Sequence, residues 1–361
     1  MDLLTKTPGL QHVAEEIFQN LNVFTLERCE QVSKSWKAIL RKPSFWLQKC
    51  RKNDGDDSNK IRKAWKMAIS MVKKKEDNKL EENVCDHLKM VCKGKENYQS
   101  PIYWASEKGH LDIVKELAQN SDNPNAPDCW INGRTPIFLA AMNGHAEIIT
   151  VLAPLSNNPN ESHYYGETPM YVAAEEGHAA VVQILAPYLD NPNEPNADGT
   201  GTTPMHVAAK NGHANVIQIL APYLDNPNAP DEFGWTPIFL AAELGHSEVI
   251  KVLAPLSDNP NEPNSDWETP IYAAAKNGHV EVIEVLAPLA DNPDEENLDG
   301  ETPIYAAAVN GHADVIKILA PLSENPNAPV RQFPWDTPIQ VATRNKNVKS
   351  NEIVEILTPY I

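Results

Sequence analysis

Three histidine–acid pairs, His145/Glu147, His246/Glu248 and His279/Glu281, carry the His-x-Glu spacing by which zinc deaminases set a general acid–base carboxylate beside a metal ligand. That chemistry also needs a Pro-Cys-x-x-Cys segment, and the chain has none. Glycine-rich phosphate loops, G-x-S-x-G elbows and H-E-x-x-H zinc helices are missing as well. Seven of the eleven histidines, His110, His145, His178, His213, His246, His279 and His312, share one recurring sequence context. A residue used at every step of a repeat has a structural role, so neither catalysis nor a cofactor or metal site is expected.

The recurrence itself is the informative feature. Ser-Pro or Thr-Pro opens eight segments, at Ser100, Thr135, Thr168, Thr203, Thr236, Thr269, Thr302 and Thr337, with spacings of 33 or 35 residues. A fixed period of that size is the mark of a solenoid. Thr is a good N-cap and Pro fits the first helical position, so a helix is predicted to start at each pair. In the fifth segment Ile238, Leu240, Ala241 and Leu244 give one short apolar helix, Gly245 interrupts it, and Val249, Ile250, Val252 and Leu253 give a second. A lone helix pair cannot bury its stripe, so each must stack on its neighbours.

The motif Thr-Pro-Ile-(Phe/Tyr)-x-Ala-Ala-x-x-Gly-His-x-x-Val-Ile-x-x-Leu resembles the ankyrin repeat, and the resemblance covers residues 98–361. It implies an all-α solenoid with β-hairpin tips, whose first helices and hairpins line a groove that holds a protein partner. Six segments carry Ala-Pro where the second helix ends, at Pro154, Pro187, Pro222, Pro255, Pro288 and Pro321, and proline is predicted to take over part of the termination that a glycine usually supplies. The following Asn-Pro-Asn, as at Asn259 to Asn261, favours a turn.

The tips hold aromatic and branched residues that no core period requires: Trp130, Ile131, Tyr164, Tyr165, Phe233, Trp235, Trp267, Phe333 and Trp335. Such residues serve either as a recognition surface or as packing between neighbouring tips. Trp267 and Trp335 also replace a glycine found at that place elsewhere, such as Gly234, which predicts reshaped tips. On the first helices Met142, Leu244 and Val309 are apolar where solvent is expected and join the candidate partner contacts. The eighth segment has Asn345-Lys346-Asn347 in place of the Gly-His turn and reads as a C-terminal cap carrying Arg344, Lys346 and Lys349 on its surface.

The N-terminal hundred residues differ. Leu10, Val13, Ile17, Leu21, Leu26, Val32, Trp36, Ile39 and Leu40 show helical periodicity before Pro43, Phe45 and Trp46, which predicts a three-helix unit. From Val13 to Trp46 this order resembles an F-box, placed at residues 9–50. The resemblance implies a Skp-like adaptor and a cullin-RING ligase core as partners, docked through Leu10, Val13, Ile17, Leu21, Leu26 and Val32. A helical cap packed only on its own core is the other reading. Residues 51–97 follow as a charged linker and two capping helices, lined by Ile61, Trp65, Ala68, Ile69 and Val72, then by Leu80, Val84, Leu88 and Val91.

Charge divides the chain in the same place. Residues 1–98 carry 20 basic and 14 acidic residues, whereas 99–361 carry 11 basic and 35 acidic. An acidic array repels nucleic-acid phosphate and attracts a basic protein segment, although solubility alone also accounts for it. Five cysteines, at 29, 50, 85, 92 and 129, have no paired spacing and read as free thiols of a cytoplasmic or nuclear protein. No apolar run reaches the roughly 20 residues of a membrane span. Together these features predict a substrate-recognition adaptor of a ubiquitin ligase, with a ligase-independent scaffold, or a host-directed effector of the same architecture, as alternatives.

Overall fold

The computed structural model describes residues 101–361, apart from 120, 122, 128–132, 332–334 and 346–348. The expected three-helix unit, the charged linker, the capping helices and all five cysteines lie outside the described residues. The chain separates into two compact units, one ending at Pro136 and one running from Ile137 to Ile361. In the first, α1 (Pro101–Glu107) pairs with α2 (Leu111–Ala118).

The second unit is a regular succession of helix pairs. The first members are α3 (Pro136–Met142), α5 (Pro169–Glu175), α7 (Pro204–Lys210), α9 (Pro237–Leu244), α11 (Pro270–Asn277), α13 (Pro303–Asn310) and α15 (Pro338–Asn345). The second members are α4 (Ala146–Leu152), α6 (Ala179–Leu185), α8 (Ala214–Leu220), α10 (Ser247–Leu253), α12 (Val280–Leu286), α14 (Ala313–Leu319) and α16 (Ser350–Leu357). From α5 on, each first helix packs on the next first helix, and from α4 on each second helix packs on the next second helix. Fully buried Ala pairs, such as Ala241-Ala242 and Ala274-Ala275, let the first helices approach closely, while Val249, Ile250 and Leu253 of α10 and their counterparts fill the layer behind.

Thr-Pro starts these helices as expected. The hydroxyls of Thr168, Thr236, Thr269 and Thr302 each accept from the backbone N–H three residues on, at 3.1 to 3.2 Å, with Pro at N1. A second cap reaches across the preceding tip. Asn160, Asn228 and Asn261 are buried, and each gives its Oδ1 to the amide of the second helical residue, Met170, Ile238 and Ile271, at 2.8 to 3.1 Å. The Asn two residues earlier folds the Asn-Pro-Asn turn by accepting from this residue's own N–H, as in Asn259 with Asn261 at 3.1 Å.

Two expectations need correction. Proline does not end the second helix: the α-helix passes into a single 3₁₀ turn containing it, such as Ala254–Leu256, and Ser257 then leaves in an extended conformation (φ −103°, ψ 135°). An extended exit requires no positive φ, which is why serine or leucine replaces glycine there. The tips, moreover, are not β-hairpins. Among the described residues they are turns without strands, closed by a pair of backbone bonds, as Asn264 N–H to Glu268 O and Trp267 N–H to Asn264 O, both at 3.0 Å. Successive tips share a further bond, Glu232 N–H to Thr200 O, Ser265 N–H to Phe233 O and Leu298 N–H to Asp266 O, which is too little pairing for a sheet.

His206 of α7 is fully buried, and its Nε2 donates to Trp235 O at 2.9 Å while its Nδ1 accepts from the Thr203 amide at 3.3 Å. Both bonds together demand the neutral imidazole, and burial holds its pKa below the ordinary 6.5. Stability from this group is therefore present in full above about pH 6.5 and is lost as pH falls through the folded-state value. Gln340 closes the same box with Thr337 without titrating. His206→Gln is expected to flatten the decline of the urea midpoint between about pH 7 and about pH 5. Asn228→Ala strands the Ile238 amide and is expected to cost about 1–3 kcal/mol in the same assay at neutral pH.

Candidate protein-binding face

The recurring histidines are structural. Nε2 of His178, His213, His246 and His279 lies 2.9 to 3.2 Å from the carbonyl of Met142, Glu175, Lys210 and Glu243, at the C-terminal turn of the preceding repeat's first helix. A carbonyl can only accept, so Nε2 carries the proton and these rings hold a helix end rather than a metal. No cluster of three metal-binding side chains occurs among the described residues. The ring of His312, which bonds the Lys276 backbone, has its pKa lowered chiefly by burial.

The tip residues predicted as contacts fall into separate groups. Tyr164 and Tyr165 are 73% and 67% exposed, and Tyr165 stands edge-on to the buried His163. Phe233 and Trp235 sit 6.3 Å apart on one tip, and Trp235 also stacks at 6.4 Å on Phe239 of its own α9, so part of that ring is internal packing. Trp267 occupies the next tip, joined to the first by Ser265 Oγ donating to Phe233 O at 2.6 Å. Trp335 is 70% exposed. On the helices Leu244 is exposed, whereas Met142 and Val309 are half-buried. Trp130, Ile131 and Phe333, like the six N-terminal docking residues from Leu10 to Val32, lie outside the described residues.

Trp267 does not reshape its tip. It adopts φ 60°, the left-handed conformation that Gly234 and Gly300 adopt at the matching place, and its N–H closes the same turn onto Asn264 O at 3.0 Å. It is the one non-glycine residue with positive φ among the described residues, in a conformation that costs L-residues about 1–2 kcal/mol. The reason lies in the turn's other bonds: Asn264 Oδ1 accepts from both Asp266 and Glu268 amides at 2.9 Å, which fixes the backbone whatever stands between them.

Beside Trp267 opens a cleft of about 550 Å³, lined also by Asn292, Asp294, Glu295, Glu296, Asn297, Leu298 and Arg331. Arg331 pairs there with Glu296 at 2.6 Å while remaining largely exposed. An aromatic wall with three carboxylates suits a cationic side chain. Leu298, 62% exposed at the tip, was not among the candidate contacts, and its signal was an apolar residue directly before Asp299-Gly300. Sequence reading also missed the ties from helix to tip. The Tyr272 hydroxyl donates to Glu301 at 2.6 Å and that of Tyr305 to Asp336 at 3.1 Å, and both phenols are pushed up by burial first and then by the carboxylate each serves. The phenol of Tyr171 is pushed up to about 12, by burial and then by Glu175.

Stacked helix pairs of a 33-residue period, joined by turned tips, define an α-helical repeat array made for protein contacts. The sequence model of the ankyrin-repeat family (three copies) matches residues 76–154, 102–196, 187–264 and 256–330, and the chain belongs to that family. An F-box-like model matches residues 11–52, so the chain couples an F-box-like domain to ankyrin repeats, modules that mediate protein–protein interaction. The last helix pair, α15 and α16, lies beyond the matched residues. No curated protein matches the chain significantly.

Because the backbone at residue 267 is fixed in the left-handed region, Trp267→Gly is expected to be more stable than Trp267→Ala by about 1 kcal/mol, the reverse of the usual order for these two residues. Both variants lose the same ring, so urea unfolding of the pair isolates the backbone contribution.

Proposed function

We propose that the chain is the substrate-recognition subunit of a Skp–cullin–F-box ubiquitin ligase, with the F-box-like domain docking the Skp adaptor and the repeats holding a protein substrate. The observation that carries this reading is the coexistence of an F-box-like match at 11–52 with an ankyrin array in one chain. Catalysis then resides in other subunits. Tethering a bound protein beside a ubiquitin-charged enzyme makes lysine transfer effectively intramolecular, which is the physical benefit of joining two binding modules.

The substrate face in this proposal is the row of tips together with Leu244, and its centre is the cleft beside Trp267. The excess of 35 acidic over 11 basic residues in 99–361 favours a basic segment, whose capture should slow as salt rises. Tyr164, Tyr165, Phe233, Trp235, Trp267 and Trp335 supply rigid aromatic surface for such a contact.

The test is a pull-down of the full chain on purified Skp adaptor. Binding is expected, with at least a tenfold loss in Ile17→Asp/Leu21→Asp, two charges placed on the predicted docking stripe, and no change in Trp267→Gly. A wild-type chain that leaves the adaptor unbound removes the ligase reading and leaves an ankyrin scaffold acting without it.

A further inference from the structure

The 3₁₀ turns that close the second helices carry a feature for which neither the core nor the tip face has a use. The six that begin with Ala-Pro each place a Leu or Tyr after the proline at the surface: Leu155, Tyr188, Tyr223, Leu256, Leu289 and Leu322 are all between 46% and 51% exposed. The preceding prolines, Pro154 to Pro321, are exposed too. Scattered exposed leucines are ordinary, but six at one repeat position, at the ends of second helices that stack in sequence, recur as one apolar rung per repeat.

A second row runs beside it. Two residues after the Leu or Tyr stand Asp190, Asp225, Asp258, Asp291 and Glu324, all exposed and none in an ion pair among the described residues. The lysines of the second helices do not neutralise them: Lys251 pairs with Glu248, and Lys317 with Asp314 and Glu352. Apolar side chains flanked by unpaired carboxylates complement a partner that is both apolar and basic.

We propose that this strip is a second docking surface, separate from the tip face, for a basic amphipathic α-helix of a partner protein. Spacing favours a helix. Stacked helices lie about 8–10 Å apart, and two turns of an α-helix advance about 10.5 Å, so one apolar residue every seventh position meets one rung per repeat. The strip offers side chains on 3₁₀ turns and no strand edge, so an extended segment finds no ladder to join, whereas a helix satisfies its own backbone. Lysines or arginines flanking its apolar stripe then face the five carboxylates, with their stems covering the prolines.

The probe is a synthetic helix of about 28 residues with Leu every seventh position and Lys on both flanks of that stripe, read by fluorescence anisotropy against the full chain. Tyr223→Ser/Leu256→Ser/Leu289→Ser is expected to weaken binding at least tenfold with its thermal melt retained. Asp225→Lys/Asp258→Lys/Asp291→Lys, which removes no packing, is expected to weaken it equally and to favour the same helix with Glu in place of Lys. Trp235→Ala/Trp267→Gly should bind as the wild type does. Equal binding of a scrambled peptide of the same composition overturns the proposal, as does an unchanged affinity in either strip variant. Loss of binding in the tip variant alone also overturns it, placing the peptide on the substrate face; Skp adaptor binding is read separately and is indifferent to all these variants.

Discussion

The second unit depends on one contact, repeated at successive steps from His178 to His312 and taken over by the Asn345 amide at the last: a side-chain N–H that donates to the open end of the helix before it. The last carbonyls of a helix have no partner of their own, and the first helices here are only 7 or 8 residues long, so that defect is a large share of each. His213 over Glu175, His246 over Lys210 and His279 over Glu243 remove it by using the next repeat. The contact also dictates glycine. A Cβ on Gly245 would lie 2.6 Å from the His279 ring, and Gly245 itself sits at φ 80°. Gly and His are thus two halves of one interface, contributed by successive repeats. His206 differs from these rings in that its Nδ1 also accepts, from the Thr203 amide.

The opposite ends of the same helices are held by a different logic. The Thr hydroxyl serves one free amide and the buried Asn of the preceding turn serves another, so each first helix is fastened to the segment that leads into it. With both ends satisfied by side chains, the tips have little backbone pairing left to do. That is why they are turns rather than strands, and why each copes with its own sequence: Asp231, Asn264 and Asn297 organise the same five-residue turn through their side-chain oxygens, around Gly234, Trp267 and Gly300 alike.

Much of this was legible in the chain. Thr-Pro marked the helix starts, the period marked the stacking, and the shared position of seven histidines marked them as structural. What escaped was whatever depended on a partner elsewhere. Trp267 read as a disruption because a replaced glycine shows only a lost freedom, while the two Asn264 bonds that hold the backbone regardless are visible only in space. Proline read as a stop because a 3₁₀ turn, which it tolerates, looks the same in sequence as a helix end. The docking residues from Leu10 to Val32 lie outside the described residues, so their placement rests on periodicity and resemblance alone.

The position of the cleft follows from a departure of one atom type. At the place where Asn160, Asn228, Asn261 and Asn327 give an amide oxygen to the helix that follows, the sixth repeat has Asp294. Its carboxylate turns instead to the next repeat, accepting from Ser323 Oγ and from the Glu324 amide at 3.1 Å. An amide can donate as well as accept, but a carboxylate only accepts, so it is drawn to wherever two donors converge. The segment 292–298 is then anchored forward rather than back, Glu295 and Glu296 gather beside it, and Arg331 of the following tip is drawn into the acidic cluster. An exposed pair of that kind is worth roughly 0–1 kcal/mol, so Arg331 lines the cleft without sealing it.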